Sequence, residues 1–198
     1  MKENINFLYC FDSNYNIQAF TSIISLLKNT SRKINIYVIH SEDNFNTQVP
    51  KEILNHKNLS SLTSYKFNDY NYEFPNIKNV HISVATYFRL FIKNYLPGNE
   101  KVFVFLDPDV ICIQDPVSEI QNTIKKLNDS EFTIAAKTEH TSGIKRINVN
   151  DKYFNAGVMV IDFEKWQQKD FHTQLINKLN VLKKNIIQWD QDLSLIHI

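Results

Sequence analysis

Asp107 and Asp109 are the residues of this sequence best suited to chemistry. They follow an unbroken apolar run, Val102-Phe103-Val104-Phe105-Leu106, and only Pro108 separates them. A short run rich in β-branched and aromatic residues reads as a strand buried on both faces. Carboxylates at the carboxyl end of such a strand stand where open α/β sheets bind ligands. On an extended backbone, side chains at i and i+2 point the same way, with Cα atoms roughly 6.6 Å apart. A small hard cation bonds oxygen at about 2.0–2.1 Å, so both carboxylates can reach one ion, directly or through water, if the backbone kinks slightly. Pro108 fixes φ between them and removes a ladder donor. Asp-Pro-Asp is also common in turns, and a polar turn closing a strand is the competing reading of the triplet taken alone.

Positioning such a pair requires a sheet, and the rest of the chain supplies one. Residues 5–11 read as a first strand, ending at Asp12-Ser13-Asn14, a helix-start signal. Residues 15–30 carry Ala19, Phe20, Ile23, Ile24 and Leu27 at helical spacing. Strands are expected at 34–39, 62–67, 132–136 and 154–161, with short helices at 50–56 and 163–166. Longer helices are expected at 117–127 and 171–182. Residues 83–95 read as a helix capped by Ser83 and closed by Pro97-Gly98. The polar stretches 69–79 and 138–151 read as loops, the second one mobile. Strands alternating with helices imply a three-layer α/β/α domain with a mostly parallel central sheet. No repeat or low-complexity linker divides the chain.

The totals narrow the function. The chain has 198 residues, 43% hydrophobic, enough for one domain with a real core. A net charge of +1 gives no basic tract for nucleic acid. None of the three glycines belongs to a Gly-x-Gly-x-x-Gly or Walker loop, which argues against dinucleotide oxidoreductases and P-loop hydrolases. Cys10 and Cys112 both lie in apolar, strand-like runs and are expected to be reduced and buried. No signal-peptide pattern opens the chain, and no apolar stretch is long enough to cross a bilayer. A soluble, cytoplasmic setting is expected.

Three further segments stand with the Asp pair: residues 81–90 (His-Ile-Ser-Val-Ala-Thr-Tyr-Phe-Arg-Leu), residues 153–162 (Tyr-Phe-Asn-Ala-Gly-Val-Met-Val-Ile-Asp) followed by Trp166, and Trp189-Asp190-Gln191-Asp192. Together, from the first strand to Asp192, these resemble glycosyltransferase family eight, which includes bacterial lipooligosaccharide galactosyltransferases, general stress glycosyltransferases and glycogenin. The resemblance implies the GT-A (Rossmann-like) fold. It also implies transfer of a hexose from a UDP-sugar with retention, assisted by Mn²⁺ at an Asp-x-Asp motif, with Mg²⁺ as the alternative ion. The expected donor is UDP-glucose or UDP-galactose. The expected acceptor is a glycan, a lipid-linked glycan or a protein. Peripheral contact with the inner face of the membrane would come from residues beyond this chain.

The resemblance assigns roles position by position. Asp107 and Asp109 match the metal ligands, with Asp107 also at the diphosphate. Mn²⁺ there would bridge diphosphate oxygens and neutralise charge as the glycosidic bond breaks. Asp12, Asn14 and Tyr15 match the segment that holds uracil and ribose; an ordinary helix N-cap is the alternative for them. Arg89 matches an arginine contacting donor sugar or diphosphate, and its apolar neighbours Phe88, Leu90 and Ile92 leave little solvated face. Asn155 matches a position near the transferred sugar, and the small Ala156 and Gly157 suit close approach of ligand to backbone. Asp190 and Gln191 match the segment beside the reactive face. An amide is a poor nucleophile, so a front-side mechanism through a tight ion pair is implied. His81 and Trp166 read as structural, and Trp189 as a packing residue bordering the pocket.

Two departures stand out. After residues 132–136 the family commonly presents an aspartate, whereas here Ala136-Lys137-Thr138-Glu139 follows, so Thr138 or Glu139 would replace it. The family also supplies a later histidine ligand and a diphosphate lysine, which lie past Asp192. Residues 193–198 (Leu-Ser-Leu-Ile-His-Ile) match the in-frame reading of a widely used transposase sequencing adapter (CTG TCT CTT ATA CAC ATC). They are therefore expected to be a non-native tail on a catalytic domain of residues 1–192, and the 198-residue chain to be weakly active or inactive. A non-catalytic UDP-sugar-binding domain is the alternative from another class. A nucleotidyltransferase is a weaker alternative, because residues 11–15 lack a Gly-rich basic phosphate loop.

Overall fold

The computed structural model describes residues 4–69, 71, 72, 74, 83–138 and 154–182. Among these residues six strands form one sheet: β1 Ile5–Phe11, β2 Ile34–His40, β3 Leu59–Lys66, β4 Val102–Leu106, β5 Ile134–Thr138 and β6 Phe154–Asp162, in the order β3-β2-β1-β4-β6-β5. Helices α1 (Asn16–Asn29), α2 (Phe45–Gln48), α3 (Lys51–Leu54), α4 (Val117–Asn128), α5 (Phe163–Gln168) and α6 (Phe171–Leu182) surround it. All seven residues of β1 are buried, as a central strand covered on both faces requires. Alternation sorts its side chains: Phe7, Tyr9 and Phe11 pack with α1 and α4, while Leu8 and Cys10 pack with Phe103, Phe105 and α6. The three layers expected from the sequence are present.

β1, β2, β3 and β4 are mutually parallel, whereas β6 is antiparallel to both β4 and β5. Among the described strands only β6 therefore runs against the rest. Its reversal brings its first residues beside the carboxyl end of β4. Pairing runs to Leu106 opposite Val158, and the Asp107 N–H then donates to the Gly157 carbonyl at 2.8 Å. On the other side of β6 the register jumps from Ala136–Met159 to Lys137–Asn155, so β6 bulges past this point.

Several expectations need correction. β4 stops at Leu106, so Asp107 and Asp109 lie in a turn closed by Val110 N–H donating to the Asp107 carbonyl at 3.2 Å, and extended-strand spacing does not apply to them. Residues 84–94 form a 3₁₀ rather than an α-helix. Seven of its eleven residues are buried. β3 begins at Leu59, because the exposed Ser60 and Ser61 of this edge strand gave no apolar signal. β5 lies two residues later than expected, leaving Phe132 exposed. Helix α2 was not foreseen; buried Phe45 anchors it against Phe11 and His40. Cys112 is half-buried in a loop, its N–H donating to the Ser25 hydroxyl at 2.9 Å, and burial pushes its thiol up. Neither cysteine is in a disulfide. The loop expected at 138–151 falls almost wholly outside the described residues, as do parts of 69–79.

Candidate active site

At the carboxyl end of β1 and β4 lies a cleft of about 220 Å³, lined among others by Phe11, Tyr15, Ser83, Thr86, Arg89, Asp107 and Asp109. It is where a topological switch point puts a ligand: β1 is followed by β2 on one side and β4 on the other. A larger apolar cleft of about 550 Å³ opens on the α1–α4 face, but its lining offers only Glu119 and Lys137 as charged groups. The smaller cleft brings Arg89, Asp107 and Asp109 together.

Arg89 organises the β4 wall. Its side chain is only 9% exposed and lies with the guanidinium carbon 4.0 Å from the Phe105 ring centroid. Nη2 donates to Asp107 Oδ1 at 2.7 Å, Nη1 to the Ala156 carbonyl at 2.9 Å and Nε to the Thr86 carbonyl at 3.2 Å. All three nitrogens thus bond the protein, tying the 3₁₀ helix to β4 and β6. Arg89 lines the cleft, and its bond to Asp107 fixes that carboxylate there. Gly157 faces the other side of that carboxylate. A Cβ there would stand 2.9 Å from Asp107 Oδ2 and 3.0 Å from Asn155 Oδ1, so only glycine leaves these oxygens their places. Asn155 is exposed, and its Oδ1 accepts the Gly157 N–H at 2.8 Å.

Asp109 is exposed and Asp107 partly so. Among the described residues no third Asp, Glu, His or Cys joins them. With Oδ1 of Asp107 taken by Arg89, the remaining carboxylate oxygens form a hard, oxygen-only donor set. That fits a divalent cation of the Mg²⁺ or Mn²⁺ kind, which keeps waters or takes phosphate oxygens in its other positions.

The β1 wall is held differently. Asp12 caps the 3₁₀ turn Ser13–Tyr15, accepting the Asn14 N–H at 3.0 Å. Its other oxygen accepts the Ser83 hydroxyl, and Ser83 Oγ accepts the Ala85 N–H at 2.9 Å. Tyr15 lines the cleft; Asp12 and the exposed Asn14 flank it. Behind the turn, buried His40 takes the Glu42 N–H on Nδ1 at 3.1 Å, which places its proton on Nε2, 3.0 Å from Asn16 Oδ1. Burial holds His40 below its ordinary pKa, so the ring is neutral. Asn16 Nδ2 donates to Gln48 Oε1 at 2.6 Å, and the Ser13 hydroxyl bonds Glu42 and holds that carboxyl below the usual range.

The fold thus gathers Tyr15, Arg89, Asp107, Asp109, Ala156 and Gly157 at one end of the sheet, with Asp12, Asn14 and Asn155 at its margins. Asp190 and Gln191 lie outside the described residues, as do His81, Glu139 and Trp189; Thr138 is exposed at the end of β5. Sequence reasoning missed Thr86, the His40–Asn16–Gln48 brace and the side-chain role of Ser83, of which only the cap pattern was visible.

A family model described as glycosyl transferase family 8 matches residues 6–198. A putative glycosyltransferase of Haemophilus influenzae is 28% identical over 96% of this chain and 58% of its own length. The lipopolysaccharide 1,2-glucosyltransferase of Escherichia coli K12 is 28% identical over 96% of this chain and 57% of its own length. The chain therefore spans less than two thirds of either relative. The galactosyltransferase LgtC, solved in complex with donor and acceptor sugar analogues, superposes with a TM-score of 0.81 at 18% identity, covering 96% of this chain and 69% of that one. That likeness is one of fold.

Proposed function

The chain belongs to glycosyltransferase family 8, and from that membership we propose that its cleft binds a UDP-hexose and that the protein transfers glucose or galactose, with retention, to a glycan, lipid-linked or protein acceptor. One observation carries the reading: a cation-competent carboxylate pair and an aromatic-lined turn open into the same cleft. The Escherichia coli glucosyltransferase and the LgtC complex support a hexose donor and a sugar acceptor.

Asp107 and Asp109 would hold the cation, Mn²⁺ first and Mg²⁺ as the alternative. When bound, it would neutralise the charge that grows on the departing diphosphate. The chain's own residues do the rest. Tyr15 offers the base a flat face, Asp12 an acceptor for a ring N–H, and Asn14 an exposed amide for the ribose. Arg89 holds the Asp107 carboxylate in place. Ala156 and Gly157 let the sugar approach the backbone, with the Asn155 amide beside it. Asp190 and Gln191 are assigned to the reactive face, Gln191 as an amide dipole near the anomeric carbon. A cytoplasmic site at the inner membrane face suits a surface-glycan acceptor; no helix among the described residues is long and apolar enough to cross a membrane.

Titration calorimetry with UDP, with and without Mn²⁺, tests the site, and UDP release from UDP-glucose or UDP-galactose tests the reaction. UDP binding that Mn²⁺ strengthens supports the reading. Absence of UDP binding, or tight binding indifferent to Mn²⁺, contradicts it.

A further inference from the structure

Two caps meet at the mouth of the cleft. Asp12 caps the turn that carries Tyr15, and Ser83 caps the 3₁₀ helix that carries Thr86 and Arg89. Each satisfies its own backbone donor, Asn14 N–H at 3.0 Å and Ala85 N–H at 2.9 Å. The Ser83 hydroxyl then spends its only proton on Asp12 Oδ2. Neither cap needs this cross-link, because each is complete without it. Its consequence is to remove a freedom. Asp12 is held at Oδ1 by its own turn and at Oδ2 by a different element, so its carboxylate cannot rotate about χ2. Each oxygen keeps one unused lone pair in a fixed direction.

A fixed carboxylate discriminates between pyrimidines. Uracil presents a ring N–H between two carbonyls. Cytosine presents a bare ring nitrogen there and an amino group beside it. A carboxylate free to turn can follow the amino group of cytosine, whereas one held still matches only the ring N–H. We infer that Ser83 is a positioning residue that locks the Asp12 carboxylate and thereby makes the cleft prefer a uridine over a cytidine diphosphate. This deepens the UDP-hexose reading above and rests on it.

The test is calorimetric binding of UDP and of CDP, both with Mn²⁺, to the 198-residue chain and to three variants. The unaltered chain is expected to favour UDP by roughly a hundredfold, the upper range of what a hydrogen bond to a charged acceptor is worth. Ser83→Ala should reduce that ratio about tenfold, the worth of one charge-assisted hydrogen bond. Ser83→Thr keeps the donor and should restore the ratio. Ser83→Asp keeps an N-cap acceptor but cannot donate, so it should lose the ratio while circular dichroism shows the fold retained. A merely structural Ser83 would alter both affinities together and leave their ratio alone. An unchanged ratio in Ser83→Ala or Ser83→Asp overturns the inference while leaving UDP binding standing. Failure of the unaltered chain to bind either nucleotide overturns the UDP reading itself.

Discussion

On the β1 wall of the cleft, side chains are held by caps and hydrogen bonds: Asp12 to Asn14 and Ser83, Asn16 to His40 and Gln48. On the β4 wall, Asp107 is held by the buried cation of Arg89 and by a glycine that leaves it room. The contrast follows from what each wall is proposed to bind. A neutral base needs donors and acceptors in fixed directions, which bonds between neutral groups and a capped carboxylate provide cheaply. A divalent cation that would bind a diphosphate needs dense negative charge, and dense charge at the end of a buried strand has to be balanced by an internal cation. Mutations should therefore damage the two walls in different ways.

The largest effect is expected at Arg89. Arg89→Met leaves Asp107 and the Ala156 carbonyl without a buried donor. Asp107 is one third exposed and can recruit water, so we place the loss near the low end for a broken buried pair, about 2–3 kcal/mol, read as a lowered urea midpoint. Gly157→Ala comes next. Its Cβ would enter space held by Asp107 Oδ2 and Asn155 Oδ1, and because Arg89 pins the same carboxylate it cannot simply move aside. A cost of about 1–3 kcal/mol is expected, with Mn²⁺ affinity falling more than UDP affinity measured without metal. An unaltered Mn²⁺ titration in this variant would break the account of the β4 wall.

On the β1 wall, Asn16→Ala removes the link between His40 and Gln48 and should cost about 0.5–1.5 kcal/mol, with the loss in UDP rather than Mn²⁺ affinity. The smallest effect concerns pH. The folded pKa of His40 is depressed by burial, so its contribution to stability is constant above the unfolded value near 6.5. Below that, the unfolded chain takes a proton that the folded chain refuses, and stability falls as pH drops toward the folded pKa, at up to about 1.4 kcal/mol per pH unit. Replacing His40 by Phe should flatten that part of the stability–pH curve.

Much of this site was legible in the residues because its strands are simple. β1 and β4 are continuous apolar runs, and Asp12 and Asp107 end them abruptly. The order of motifs then places Arg89, Asn155 and Gly157 near the same end. What stayed hidden depends on direction and partner rather than on type. Phe154–Asp162 is equally apolar whether it runs with its neighbours or against them, so nothing in it announced that Ala156 would meet Arg89 or that Gly157 would face Asp107. For Arg89 the resemblance implied a ligand contact, and its apolar neighbours showed its burial but not that it would bond Asp107 and the Ala156 carbonyl. Ser83 announced its cap and not its second bond, which joins positions 71 residues apart. His40 closed a strand, and only the pairing of β1 with β2 brings it beside Asn16.

The central claim is that Asp107 and Asp109 hold a divalent cation that anchors a nucleotide diphosphate. Asp109 is the residue to test, because it is exposed and its replacement should leave the fold within about 0.5 kcal/mol of the original. UDP titrations of the unaltered chain and of Asp109→Asn, each with and without Mn²⁺, decide the matter. The account expects Mn²⁺ to tighten UDP binding in the first and to have no effect in the second. Equal tightening by Mn²⁺ in both would contradict it.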